Sequence, residues 1–380
     1  MGSIKRLAIV GTGQLARMLA EAAQPLNVEV AYLALENDST ESIDDMGTAV
    51  RLTQAPTPAA CQEIYDALGK PDVITVEKES VPVELLTNLS KHCTVYPNPA
   101  SIEAAQHRGK EKDQLTSLGI ATPRYKVVNQ VEALEAATQE VGFPIIAKTL
   151  EGGYDGKGQW MLNGPDDVKP LLNAFPATGI VLEEKVAFER EVSLIGARDE
   201  EGNCVFYPVT ENEHAQGVLL TSVSPAVNIS PDQQAVMETA MTRLMEFWNY
   251  VGVLTIEFFV TADAILVNEI APRVHNSGHW SLQSGMVSQF ENHIRAVSGH
   301  TLGSTATDTV HGMVNILGQY DLSRQDELSA FNGELYWYRK APKAKRKLGH
   351  INVQDADRAE LLKNVDAIRQ HVYQGHPDFS

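Results

Sequence analysis

Residues 4–10, Ile-Lys-Arg-Leu-Ala-Ile-Val, are an apolar run that enters the turn Gly11-Thr12-Gly13, and residues 14–24 follow with helical spacing up to Pro25. The pattern then repeats. Residues 28–35 read as a second strand, 61–68 as a helix and 73–76 as a third strand. Strands that alternate with helices pair through crossovers, so this stretch must fold as a parallel, doubly wound sheet over roughly the first 100 residues. The turn-rich Tyr96-Pro97-Asn98-Pro99 marks its end.

Beyond Ser101 the alternation stops. A polar helix is expected over 102–118, closed by Gly119, then strands at 125–128 and 145–149 around a helix at 132–141. Residues 180–185, 191–197 and 205–209 suggest an antiparallel sheet. Ser230-Pro231-Asp232 is a helix start, an N-cap followed by proline at the first helical position. Apolar residues Val236, Met237, Ala240, Met241, Leu244, Met245 and Trp248 recur there at three- and four-residue steps, and Gly252 is expected to close the helix. A strand pair follows around 254–270. Short strands at 312–317, 334–338 and 349–353 and a helix from near Asp357 complete the chain. The expected class is α/β and α+β, divided at 1–100, 101–310 and 311–380; a chain of 380 residues can fill two or three cores.

Composition excludes some partners. With 31 Lys plus Arg against 49 Asp plus Glu, the net charge is −18, which argues against general affinity for nucleic acid or an anionic membrane. The dense basic patch is Arg339, Lys340, Lys343, Lys345, Arg346 and Lys347. The three cysteines (Cys61, Cys93, Cys204) have neither metal-site spacing nor an even count, so a reducing compartment fits. No apolar run approaches the ~18 residues that span a bilayer. No signal-peptide pattern opens the chain, and a cytoplasmic location is expected.

Four segments could carry chemistry. The turn Gly11-Thr12-Gly13-Gln14-Leu15-Ala16 follows a strand and opens a helix, with Glu36 at the end of the second strand. It could bind a dinucleotide, hold the helix start, or offer amides to a substrate phosphate. The loop Glu151-Gly152-Gly153-Tyr154-Asp155-Gly156-Lys157-Gly158-Gln159 follows the strand carrying Lys148. Its glycines let backbone amides close around phosphate oxygens, and a strand lysine would offset their charge. A flexible hairpin tip is the structural alternative. Glu183-Glu184-Lys185-Val186, with Glu191 nearby, could serve an adenosine or be a solvated acidic run.

The fourth segment runs from Asn268 to His279 (NEIAPRVHNSGH) and follows an apolar strand. Glu257 and Glu269 lie in consecutive apolar strands joined at residues 261–264. A hairpin loop of odd count would put Glu257 and Glu269 on one face, whereas an even count would set Glu257 opposite Asn268. Either arrangement offers two oxygen ligands to Mg²⁺; a salt bridge for each carboxylate is the alternative. Arg273 suits bidentate capture of a carboxylate, bicarbonate or phosphate, with His275 and Asn276 beside it.

The Tyr-Asp-Gly-Lys-Gly-Gln loop and this twelve-residue segment together resemble the ATP-grasp ligases, and within them the 5-(carboxyamino)imidazole ribonucleotide synthase family. The resemblance spans essentially the whole chain. It implies an ATP-grasp fold with an N-terminal pre-ATP-grasp domain, a lid at about 120–187 and a small C-terminal domain. It also implies ATP and Mg²⁺ as cofactors, bicarbonate and 5-aminoimidazole ribonucleotide as substrates, and a homodimer. Carboxyphosphate, or CO₂ released from it, would meet the substrate amine.

By the same resemblance, Arg108 and Lys148 contact ATP phosphates under the loop Gly153, Tyr154, Asp155, Gly156, Lys157, Gly158 and Gln159. Glu183, Glu184, Lys185 and Val186 line the adenine; Glu191 holds the ribose and His214 sits on the nucleotide side. Glu257 and Glu269 bind Mg²⁺ with Asn268 adjoining. Tyr154, Asp155, Arg273, His275 and Asn276 form the bicarbonate and aminoimidazole end, with Asp155, Arg273 and Lys148 catalytic. Lys340, Arg346 and Lys347 hold the ribonucleotide phosphate, with Gln14 and Glu77 reaching in. The family reads Gly-Gly-Gly-Gln-Leu-Gly at the first turn, where this chain has Thr12 and Ala16. Competing readings are an ATP-grasp enzyme using formate or glycine, an oxidoreductase built on the first turn, and a nucleotide-binding module without turnover.

Overall fold

The computed structural model describes residues 4–152, 158–318, 326–328 and 330–374. The first sheet is parallel, with strands β1 (Arg6–Val10), β2 (Glu29–Ala34), β3 (Ala49–Arg51), β4 (Val73–Val76) and β5 (Thr94–Val95) in the order β3-β2-β1-β4-β5. Leu7 to Val10 and Val73 to Val76 are fully buried, as strands covered by helices on both faces must be. Val10 pairs with Leu33 on one side and Val76 on the other. The strand order therefore reverses at β1, and the crevice beyond its carboxyl end is where doubly wound sheets place ligands.

A second, antiparallel sheet is formed by β6 (Tyr125–Val128), β7 (Ile145–Thr149), β8 (Gln159–Leu162) and β9 (Ile180–Glu184), in the order β6-β9-β7-β8. The third sheet contains β10 (Arg190–Arg198), β11 (Cys204–Phe206), β12 (Thr210–Ala215), β13 (Val218–Ser224), β14 (Gly252–Val260), β15 (Ile265–Ala271), β16 (Val310–Leu317), β17 (Glu334–Trp337) and β18 (Lys347–Asp355). Its path is β15-β14-β10-β12-β13-β16-β18-β17, with β11 on β10. The C-terminal strands thus extend the central sheet.

Local outcomes differ from the sequence reading, and Ile180–Glu184 joins the second sheet rather than that of Arg190–Arg198 and Cys204–Phe206. The expected helix 102–118 is two helices, Pro99–Gln106 and Arg108–Ser117, broken where His107 is extended (φ −125°, ψ 106°) and bridges Glu151. The His107 ring accepts the Lys110 amide and so caps the second helix. The Ser230-Pro231 start is present as a reciprocal capping box with Gln233, but the helix ends at Phe247. Gly252 instead opens β14 at φ +121°, with His293 packed where a Cβ would lie.

The apolar face of helix Pro231–Phe247, with Met237, Met241, Leu244 and Met245, packs on Leu194, Leu254, Ile256 and Phe258 of the third sheet. On the other side of β14 lies helix Gln289–Val297, which also packs on the first domain's helix Gln14–Ala23. Buried His293 joins the two sheets: its Nδ1 accepts the Val253 amide at 3.1 Å, and its Nε2 lies 2.7 Å from Thr75 Oγ1. The amide leaves Nδ1 as an acceptor, so Nε2–H donates to Thr75. One neutral ring thus ties the first sheet to the third within the apolar packing that joins them.

Candidate active site

The hairpin β14–β15 presents the acidic centre. Val260 pairs with Ile265 and Phe258 with Val267, the even register that residues 261–264 dictate. Continued, it would set Glu257 opposite Asn268 and leave Glu269 on the same face as Val267, against the buried helix. A β-bulge interrupts it, and Glu257 pairs with Glu269. Asn268 is the extra residue, and it turns Glu269 to the open face. Glu191 and Ser193 of β10 share that face, because Ser193 pairs with Glu257 and Glu191 with Asn212.

Charge there is unbalanced. Burial pushes the Glu257 carboxyl up to about 7; His214 pulls it down, while Glu269 and Glu191 push it further up. Glu191 Oε2 accepts a 2.9 Å bond from His214 Nδ1; burial pulls this imidazole down, but Glu191 and Glu257 together outweigh it and the net shift is upward. A divalent cation between Glu257 and Glu269 would remove the repulsion. Among the described residues no cluster of three or more His, Cys, Asp or Glu side chains makes a protein-only metal cage. Two carboxylates on an open face suit Mg²⁺, which keeps waters and substrate phosphates as ligands.

The cationic groups arrive from the second sheet. Lys148 of β7 reaches Glu183 of β9 at 3.0 Å, and Lys112 of helix Arg108–Ser117 reaches the other oxygen of Glu183 at 3.3 Å. Burial raises the Glu183 carboxyl, but the two lysines bring it below the usual carboxylate range. Arg108 donates to the carbonyls of Thr149 and Gly152 at 2.7 Å, so it braces the entrance to the glycine loop. Gly153, Tyr154, Asp155, Gly156 and Lys157 lie outside the described residues. Gly158 adopts φ +66° with its Cα side against Thr149, and exposed Gln159 starts β8. Glu184 turns outward to Arg124, and the amides of Glu184 and Lys185 bond to the carbonyls of Arg124 and Pro144. Val186 is half-buried beyond them.

After β15 the chain turns past Pro272. Arg273 is anchored by a very short bond from its Nε to Glu79, which follows β4 of the first sheet. Burial pushes Glu79 up, but the guanidinium brings it down to about 2. His275 Nδ1 accepts the Ser277 amide at 3.3 Å, leaving its proton on Nε2, which faces Glu257 at 3.8 Å. Burial first, then Arg273 and Lys347, hold this imidazole well below its usual value. It is therefore a neutral donor rather than half of an ion pair. Asn276 exchanges two amide bonds with Asn315 (3.0 and 2.7 Å), and Ser277 bonds Ser193 at 2.8 Å.

The basic patch closes over the first domain. Lys340 bonds Gln14 by a very short contact, Arg346 reaches Glu41 at 3.2 Å, and the Tyr338 carbonyl accepts from Ser42 at 3.1 Å. Burial pulls Lys340 down to about 8 against the charge of Glu77. Lys347 is close enough to act on Glu257, His214 and His275. Glu77 itself points into the first turn and accepts the amides of Gly13 (2.6 Å) and Ala16 (2.8 Å). That carboxylate occupies the anion position of the helix start, where a dinucleotide pyrophosphate would have to lie. A Cβ on Gly11 would stand 2.2 Å from Glu77 Cγ, so the first glycine serves this docking.

Glu79, Lys112, Glu111 and Asn315 belong to this site, and the sequence reading singled out none of them. Glu111, 4% exposed, is pushed up to about 8 by burial, with Glu269 and Glu183 adding to the shift. The signal in sequence was weak, since Arg108-Gly109-Lys110-Glu111-Lys112-Asp113 reads as a solvated helix face.

Three family models match: the ribonucleotide synthetase preATP-grasp domain over residues 4–106, the ATP-grasp domain over 113–290, and the phosphoribosylaminoimidazole carboxylase C-terminal domain over 312–364. The N5-carboxyaminoimidazole ribonucleotide synthase of Vibrio cholerae is 41% identical, covering 95% of this chain and 93% of the relative. The crystal structure of the Thermus thermophilus N5-carboxyaminoimidazole ribonucleotide synthetase superposes with a TM-score of 0.86 at 35% identity, covering 98% of this chain and 99% of that one. The Aspergillus clavatus synthase, solved with ADP and 5-aminoimidazole ribonucleotide, gives 0.84 at 26% identity, covering 97% and 100%. Glu257 set against Glu269, the Lys148–Glu183 pair and Arg273 held from the first domain thus lie within a chain that belongs to the N5-carboxyaminoimidazole ribonucleotide synthase family of ATP-grasp ligases.

Proposed function

We propose that this chain joins bicarbonate to the amino group of 5-aminoimidazole ribonucleotide while ATP becomes ADP and phosphate, a carboxylation step of de novo purine synthesis. The observation that carries the reading is the bulged pairing of Glu257 with Glu269, with Arg273 acting on Glu269 and the Lys148–Glu183 pair held by the second sheet. Glu257 and Glu269 would hold Mg²⁺, with Asn268 adjoining; the ion supplies charge neutralisation at the nucleotide phosphates.

Arg108, Lys148 and the loop 153–159 receive the triphosphate, with Glu183–Val186 at the adenine and Glu191 and His214 on the ribose side. Arg273, held in place by Glu79, aims bicarbonate at the γ-phosphorus. A bicarbonate oxygen attacks, the bond to the ADP oxygen breaks, and carboxyphosphate forms. The substrate amine then attacks the carboxyl carbon of carboxyphosphate, or of CO₂ released from it; phosphate leaves and the nitrogen loses a proton, with Asp155 our candidate for proton handling at the amine or the bicarbonate. Neutral His275 and Asn276 donate hydrogen bonds at this end. Lys340, Arg346 and Lys347 hold the ribonucleotide phosphate, with Gln14 and Glu77 behind them. Water exclusion by the loop protects carboxyphosphate from hydrolysis.

A three-part division near residues 100 and 310, a homodimer and a cytoplasmic location belong to the same reading. Among the described residues, no helix is long and apolar enough to cross a membrane. The test is ADP release in a coupled assay. Turnover that needs both bicarbonate and 5-aminoimidazole ribonucleotide supports the reading, and turnover with formate or glycine in place of bicarbonate overturns it.

A further inference from the structure

We infer that Lys112 is a positioning residue for the nucleotide: it holds Glu183 against Lys148 and, through Thr122, fixes the strand that turns Glu269 to the metal. This rests on the reading above for the roles of Lys148 and Glu269. Lys112 is 1% exposed although it belongs to a polar helix. Its ammonium sits 3.3 Å from Glu183 Oε1, 3.1 Å from Thr122 Oγ1 and 5.9 Å from the centre of the Tyr125 ring. Removing an ammonium from water this completely is unfavourable unless a partner compensates it. Glu183, 3% exposed, is that partner, and its other oxygen takes Lys148.

Glu183 shares its carboxylate between two ammonium groups. Lys112 is sealed and also has Glu111 beside it, while the Lys148 side chain keeps 16% exposure and is the cation left open to a ligand. A phosphate is the ligand that this arrangement completes.

The contacts continue into the acidic hairpin. Thr122 Oγ1 donates to the Val267 carbonyl at 3.1 Å, and the Val267 amide donates to the Ala121 carbonyl at 2.8 Å. Both polar groups of Val267 are therefore tied to segment 121–122. Asn268, the next residue, is where the ladder with β14 slips. Lys112 thus touches, directly or through one hydroxyl, the strand carrying the phosphate lysine's partner and the strand carrying Glu269.

A double-mutant cycle between Lys112→Met and Lys148→Met, read as the ADP dissociation constant and the ATP KM, tests this. Each single change is expected to weaken ADP binding roughly 10- to 100-fold, the range for a lost charged hydrogen bond. Lys112→Met should then add little in the Lys148→Met background. Additive losses, or wild-type ADP binding in Lys112→Met, would overturn the inference, because a merely structural lysine would not couple to Lys148. Thr122→Val keeps both ion pairs and is expected to raise the half-saturating Mg²⁺ concentration several-fold. An unchanged Mg²⁺ requirement overturns the hairpin half, even if Lys112→Met fails to fold. Since ADP binding needs neither bicarbonate nor ribonucleotide, failure here is distinct from failure of the proposed reaction.

Discussion

Glu79→Gln removes the carboxylate that anchors Arg273 while keeping the side chain's size. In the folded chain burial raises this carboxyl, yet Arg273 outweighs burial and brings it from 4.5 to about 2. That difference corresponds to roughly 3 kcal/mol of folded-state stabilisation. The Glu79 side chain is 31% exposed, so solvent screening reduces the figure to about 1–2 kcal/mol. Because the folded value is depressed, the stabilisation is complete above the unfolded value near 4.5 and is lost as pH falls through about 2. Urea unfolding should therefore show a gap of about 1–2 kcal/mol between wild type and variant at pH 7. By pH 3 about half or more of that gap should be gone. Arg273 without its anchor should also cost roughly 10- to 100-fold in kcat/KM for bicarbonate. A variant with wild-type stability at pH 7, or with a gap that does not change with pH, would refute the pairing argument. Unchanged bicarbonate kinetics would refute the positioning of Arg273.

Three further outcomes follow from the same geometry. Glu269→Gln should abolish turnover at any Mg²⁺ concentration while the melting temperature stays within a few degrees of wild type; near-normal rates at saturating Mg²⁺ would remove the metal assignment. Lys340 loses its proton near pH 8, so KM for the ribonucleotide should rise as pH passes that value, with ATP KM flat. Lys340→Ala should have a high ribonucleotide KM throughout and no such bend, and an unchanged KM would take the basic patch out of the site. Gly11→Ala must accommodate φ +117° and a Cβ 2.2 Å from Glu77, and should lose about 2–4 kcal/mol in urea unfolding; a neutral result would show that the Glu77 docking is loose.

Much of the fold was legible because burial writes a local signature. Strands 73–76 and 145–149 have the boundaries read from their apolar runs, and Ser230-Pro231 starts its helix through the side chain that the sequence implied. The hairpin shows where locality ends. Parity alone put Glu257 opposite Asn268 for an even loop, and four residues do connect the strands, yet the bulge restores the Glu257–Glu269 pair. Beside that bulge Val267 bonds to residues 121–122, more than 140 positions away, contacts that no window of sequence contains. The same holds for Lys112 and Glu111. Each sits among polar neighbours on a short helix, and only packing against β9 and β15 turns a charged run into a buried one. Glu77 is read from the sequence as reaching in toward the substrate, and its carboxylate also caps the first helix; Glu79, two residues on, carries no local signal because its partner Arg273 is nearly 200 positions distant. The break at His107 was invisible because its cause, a bridge to Glu151, is tertiary.

The most direct measurement is a crystal structure of this chain with Mg²⁺ and ADP. A magnesium ion joined to carboxylate oxygens of both Glu257 and Glu269 at about 2.0–2.1 Å, with nucleotide phosphates completing its shell and Lys148 against them, is the predicted result. A nucleotide bound elsewhere, or a metal that ignores both carboxylates, would contradict it.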